Sequence, residues 1–132
     1  MSDGEAPRFR VLHPEPALGQ VVDASRALAG WREDRAPGAG VALNFISSLD
    51  GRVALDGRSA ALGGPADRAL FHALRARADA VLVGAGTVRD ERYGPLVKSA
   101  AVREARLGEG LEERPLALIA TSSLDLDPAL PT

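Results

Sequence analysis

A chain of 132 residues, 45 % hydrophobic and 26 % charged, has the composition of a soluble globular protein and the length for one packed core. Its net charge of −2 argues against a nucleic-acid surface or a polybasic membrane anchor and points to a small-molecule partner. With no cysteine and two histidines, His13 and His72, no disulfide, thiolate nucleophile or self-sufficient metal site is expected. The longest apolar runs, VALNFI and LALIA, fall far short of the roughly 20 residues that span a bilayer, and the segment after Met1 is polar and acidic, so a cytoplasmic location is expected. Arginine supplies all but one of the basic residues, the exception being Lys98.

Residues 1–14 are polar, carry Pro7 and Pro14, and read as a loose lead-in. Leu18, Val21, Val22, Ser25, Leu28 and Ala29 then recur near helical spacing, which predicts a first helix closed by Gly30 with Trp31 packing back. REDRAPGAG combines charge with Pro37, Gly38 and Gly40 and predicts a linker. VALNFISSL, residues 41–49, is a run of strand formers and predicts a central strand. Asp50-Gly51 and Asp56-Gly57 bracket RVAL, and glycine's tolerance of positive φ predicts tight turns and a small hairpin or flap.

Pro65 opens the clearest helix, with Ala66, Leu70, Leu74 and Ala78 at i, i+4, i+8 and i+12. AVLV, 80–83, predicts a strand; LVKSAAVREARLGEG predicts a helix from Leu96 to about Gly108; Leu116–Ala120 predicts another strand. Alternation of strands and helices implies an α/β fold with parallel pairing.

Three of these strand ends are polar: Ser47 and Ser48, Gly84 to Thr87, and Thr121 to Ser123. In an open parallel sheet ligands bind beyond the carboxyl ends of strands. Bare glycine backbone there can approach a phosphate, and Thr87 with Asp90 resembles a capping pair. The same residues also suit plain turns, and GAGTVR lacks the third glycine of the dinucleotide fingerprint. Arg68, His72 and Arg75, at i, i+4 and i+7, predict a cationic stripe able to hold a phosphate or simply to be solvated. Asp50 either serves its turn or sits at a cleft where burial raises its pKa enough to orient or protonate a heterocycle.

In order and spacing, the Ser-Leu-Asp-Gly of residues 48–51, Ser59, HALRA and DAVLVGAGTV resemble the pyrimidine reductase family of riboflavin biosynthesis, over roughly residues 40–124. The resemblance implies a dihydrofolate-reductase-like, mostly parallel sheet flanked by helices. The implied activity is NADPH-dependent reduction of a ribosylaminopyrimidine 5′-phosphate, the ribose opening to a ribityl chain. Asn44, Ser59, Arg75 and Lys98 fall on or near substrate positions, and Asp50 on an electrostatic or proton-handling one. Gly84, Gly86, Thr87, Val88 and Glu91 fall on the cofactor loop, with Ser47 and Ala61 also on the cofactor side and Ser122 or Ser123 near the adenosine phosphate. The family often has lysine where Asn44 stands, tryptophan at Ala61 and aspartate at Glu91.

Family members also continue through further strands and a second glycine-rich loop, so residues 1–39 are expected to form an extension and 40–132 an amino-terminal half. Such a half would complete its sheet with the remaining sequence or as a homodimer. Two other functions fit the same residues: reduction of a pterin of the dihydrofolate type, or non-catalytic nucleotide or partner binding.

Overall fold

The structure, a computed structural model, describes residues 6–12, 18–29, 40–59, 61–90 and 94–127. Gly30, Trp31, residues 32–39 of the expected linker and Glu91 lie outside them. The chain divides into two compact units, Met1–Ala73 and Leu74–Thr132.

In the first unit, β1 (Phe9–Arg10) pairs antiparallel with β2 (Val21–Val22). The hairpin continues through Val11 N–H to Gln20 O at 2.9 Å and Gly19 N–H to Val11 O at 2.8 Å, with Gly19 at φ +83°. The expected long first helix is therefore corrected. The β-branched pair Val21-Val22 joins a strand instead, leaving a single turn, α1 (Ala24–Ala27), capped by Asp23 Oδ1, which accepts from Arg26 N–H at 2.8 Å.

The expected central strand over residues 41–49 is not formed. Val41 and Leu43 are 94 % and 87 % exposed, and Phe45 is also exposed. A strand former becomes a strand only when a neighbour takes its backbone hydrogen bonds. The turns that follow match expectation. Gly51 N–H donates to Ser48 O at 3.0 Å with Gly51 at φ +83°, and Leu55 and Arg58 exchange two backbone bonds of 3.0 and 2.9 Å. Between them Asp56 and Gly57 both have positive φ, 49° and 76°, as a two-residue type I′ hairpin requires.

The boundary between the units falls within α2 (Pro65–Arg77), which starts at the predicted proline. In the second unit β3 (Ala80–Gly84) and β4 (Leu116–Ala120) form a parallel pair, from Ala80 opposite Leu116 to Gly84 opposite Ala120. Parallel neighbours need a long connection, and residues 85–115 supply it with α3 (Ala85–Asp90) and α4 (Ala100–Gly108). Leu96 and Val97, expected in the second of these helices, are buried ahead of it, because Ser99 caps the helix with its Oγ 3.4 Å from Val102 N. Ser99→Ala is expected to cost about 1 kcal/mol, measured by urea denaturation.

The buried apolar residues among those described are Ala85, Val88, Leu96, Val97 and Pro115, all in this unit. Two cations, Arg75 and Arg106, are buried as well. The sheet is apolar on both faces: Val81, Val83, Ala117 and Ile119 point to the half-buried side, and Ala80, Leu82, Gly84, Leu116, Leu118 and Ala120 to the exposed one. No helix among the described residues is long and apolar enough to cross a membrane.

Candidate functional site

In the first unit Asp50 shares one turn with Ser48 and Arg52. Ser48 Oγ donates to Asp50 Oδ1 and accepts from Arg52 N–H at 3.0 Å. Arg52 Nε donates to Asp50 Oδ2 at 3.2 Å, and both side chains are about two-thirds exposed (68 % and 65 %). The Ser48 hydroxyl above all, with backbone and Arg52 bonds helping, holds the Asp50 carboxyl below its ordinary 3.8. Of the two readings of Asp50, service to its turn fits and elevation by burial does not: it is an exposed, ionised carboxylate at neutral pH, suited to electrostatics rather than proton donation. Ser48→Ala is expected to move the Asp50 pKa up toward 3.8, read by carbon-13 NMR titration. Because the native pKa is depressed, the stability Asp50 contributes is present above 3.8 and is lost as pH falls below it. Asn44, Ser47, Ser59 and Ala61 are exposed, and Ser59 O accepts Leu62 N–H at 2.9 Å.

In the second unit two loops meet at one end of the sheet. Gly84 and Ala120 are the last register pair at the carboxyl ends of β3 and β4. The chain leaves Gly84 directly into α3, and leaves Ala120 into Thr121, Ser122 and Ser123. Arg89 of α3 ties the loops together by donating to Asp125 O at 3.3 Å. Thr121 Oγ1 accepts Leu124 N–H at 3.2 Å and Ser123 Oγ accepts Asp125 N–H at 3.3 Å, so these two hydroxyls shape the turn. Ser122 is exposed between them.

Neither Gly84 nor Gly86 has a positive φ, and a β-carbon at either would meet no other atom within 4 Å. The fold itself therefore requires glycine at neither position, and the space beside them is open. The Thr87–Asp90 capping pair is not formed: Thr87 is the third residue of α3, because β3 runs into that helix without a linker. Thr87 is exposed, whereas Val88, expected on the cofactor loop, is 2 % exposed as a whole residue and belongs to the core.

Arg75 departs from its expected place on a solvated stripe. Arg68 and His72 of α2 are exposed, but Arg75 is buried at 9 % exposure, and loss of hydration pushes its guanidinium down to about 10. Arg75 also stands toward the amino end of β3, since α2 ends three residues before Ala80. Gly84 lies at the other end, about 13 Å along the strand at some 3.3 Å per residue. Lys98 is exposed, and its carbonyl accepts Arg103 Nη1 at 2.8 Å while Arg103 Nε reaches Glu113 Oε1 at 2.8 Å. The structure thus brings the β3–α3 junction at Gly84 and the Thr121–Ser123 loop together and sets Arg75 toward the opposite end of β3.

Sequence reasoning missed Arg106, which is 2 % exposed and bonded to the carboxyl end of α2. The one sequence signal is its place four residues after Val102, on the inward side of α4.

A search of curated proteins finds a 2,5-diamino-6-ribosylamino-4(3H)-pyrimidinone 5′-phosphate reductase from Archaeoglobus fulgidus, 36 % identical over 83 residues. The match covers 62 % of this chain and 38 % of that protein. Among solved structures, a pyrimidine reductase-like protein from Corynebacterium diphtheriae matches with TM-score 0.59 and 36 % identity, over 63 % of this chain and 34 % of that one. The chain therefore spans less than two-fifths of the length of these relatives. It shares their dihydrofolate-reductase-like α/β fold, with the parallel β3–β4 pair and its flanking helices as the portion seen here. The family model described as the RibD C-terminal domain matches residues 39–130, and with most of its length so matched the chain belongs to the RibD C-terminal domain family.

Proposed function

We propose that this chain, through residues 40–132, forms part of an NADPH-dependent reductase of a ribosylaminopyrimidine 5′-phosphate in riboflavin biosynthesis. The observation that carries the reading is the pairing of Gly84 with Ala120, from which the start of α3 and the Thr121–Ser123 loop leave the sheet next to glycines that the fold does not need. The Archaeoglobus relative is named for that substrate, and the open space at Gly84 and Gly86 fits the close approach of a dinucleotide phosphate to backbone.

When bound, the nicotinamide supplies the hydride; binding and orientation fall to the protein. Gly84, Gly86 and the exposed Thr87 offer backbone and a hydroxyl to the cofactor, and Ser122 a hydroxyl toward the adenosine end. Ser123, already accepting from Asp125 N–H, retains its own proton to donate. From the family resemblance alone, Glu91, Ser47 and Ala61 are also assigned to the cofactor.

Arg75 and Lys98 hold the substrate phosphate and Asn44 and Ser59 its polar groups. The desolvated Arg75 cation favours an anion more than a hydrated one would. Asp50 acts by its negative charge. Because Arg75 and Gly84 lie toward opposite ends of β3, an elongated substrate is favoured, phosphate at the Arg75 end and sugar toward the cofactor loops. This favours the phosphorylated pyrimidine over a pterin. The active molecule works in the cytoplasm as a homodimer. The experiment is turnover of this substrate by the full-length gene product with NADPH, compared with its dephosphorylated form. Loss of phosphate is expected to raise KM more than tenfold, and equal KM values would refute the reading.

A further inference from the structure

Arg106 lies on α4, 31 residues from Arg75, yet its guanidinium sits against the carboxyl end of α2. Nη1 donates to Ala76 O at 2.7 Å and Ala78 O at 3.0 Å, with Arg75 O at 3.5 Å, while Nε donates to Glu112 O at 2.9 Å. Its own carbonyl accepts Glu109 N–H at 3.1 Å and Leu111 N–H at 2.9 Å. One buried side chain thus joins the loop after α4 to the last turn of α2. The last carbonyls of a helix lack intrahelical partners and carry partial negative charge, so a fork-shaped cation satisfies several at once. The peptide units it holds are those of Arg75 and its immediate successors, up to the link with Asp79, whose carbonyl accepts Leu116 N–H at 2.9 Å at the start of β4.

We infer that Arg106 is a positioning residue that fixes the backbone carrying Arg75, and so sets where the Arg75 guanidinium meets the substrate phosphate. The inference rests on the reading of Arg75 as an anion-binding residue. A lysine at 106 keeps the charge but offers one ammonium where the fork reaches both the α2 carbonyls and Glu112 O, so the last turn of α2 is held in fewer places.

The test is a double-mutant cycle in the full-length gene product, with Arg75→Ala, Arg106→Lys and both together, using 2,5-diamino-6-ribosylamino-4(3H)-pyrimidinone 5′-phosphate and NADPH. Arg106→Lys is expected to raise KM for the phosphorylated substrate about fivefold, with kcat and the KM for NADPH within about twofold. On the Arg75→Ala background it is expected to add less than about twofold. A purely structural role would lower kcat through the active fraction and leave KM unchanged.

If Arg75→Ala itself leaves the substrate KM unchanged, the reading of the site fails and the inference with it. If Arg75→Ala raises KM while Arg106→Lys has no effect or multiplies independently, the inference alone is overturned. Should Arg106→Lys not fold, the unmodified protein decides by NMR. Arg106 Nε–H is expected to be protected from solvent exchange, and Arg75 Nε to shift with phosphorylated but not dephosphorylated substrate. A rapidly exchanging Arg106 Nε–H, or an unmoved Arg75 Nε, would overturn it.

Discussion

Gly84→Val is expected to weaken NADPH binding about tenfold or more, about 1.4 kcal/mol, while leaving the protein as stable or slightly more so. The two effects separate because Gly84 ends a strand without positive φ, and its added β-carbon meets no other atom within 4 Å. Valine suits an extended backbone and removes the entropy cost of glycine, roughly 0.5–1 kcal/mol in favour of the folded state. The same side chain would occupy the space that a phosphate needs next to bare backbone. Fluorescence titration with NADPH and a thermal melt on the same samples check both halves. A variant that binds NADPH normally would show that the open space beside β3 is unused.

Arg75→Ala is expected to do the converse. It should raise KM for the phosphorylated substrate roughly 10- to 100-fold, from the 1.5–3 kcal/mol typical of hydrogen bonds to charged groups, and leave NADPH affinity within about twofold. The dephosphorylated substrate should lose little, since it has no anion to miss. Burial also gives Arg75 a pH signature. With its pKa pushed down to about 10, the cation is present at neutral pH, and in the free protein its grip on an anion is lost as pH rises through about 10. Its charge opposes folding below about 10, and that penalty fades above it. Steady-state kinetics with both substrates provides the check; a matched rise in both KM values would mean that Arg75 does not read the phosphate.

Much of the chain from Pro65 onward was legible. Pro65 at the start of α2 and the compact apolar runs of β3 and β4 encode their elements locally, and β4 spans the predicted Leu116–Ala120. The facing of Gly84 and Ala120, and with it the loop pair, follows from parallel pairing of two short strands. The first unit was less legible because its apolar spacing was compatible with more than one structure. Val21 and Val22 fit a helix period and a hairpin equally, and the Gly19 turn selected the hairpin.

Val41–Leu49 has strand composition, but composition supplies no partner for its backbone. Of the two readings of Asp50, turn service fits and elevation by burial does not, because its environment is made by Ser48 and Arg52 in an exposed turn. Arg106 was invisible for a different reason. Its meaning lies in carbonyls some 30 residues away in sequence, and one more arginine in an arginine-rich chain carries no local mark of that contact.

The account depends most on the claim that the carboxyl ends of β3 and β4 together receive the dinucleotide. Hydrogen–deuterium exchange of the full-length gene product with and without NADPH tests it directly. NADPH is expected to slow exchange at the amides of residues 84–87 and 121–123 together, and to leave the Phe9–Val22 hairpin unchanged. Saturable NADPH binding with protection at neither loop, or no binding at all, would contradict it.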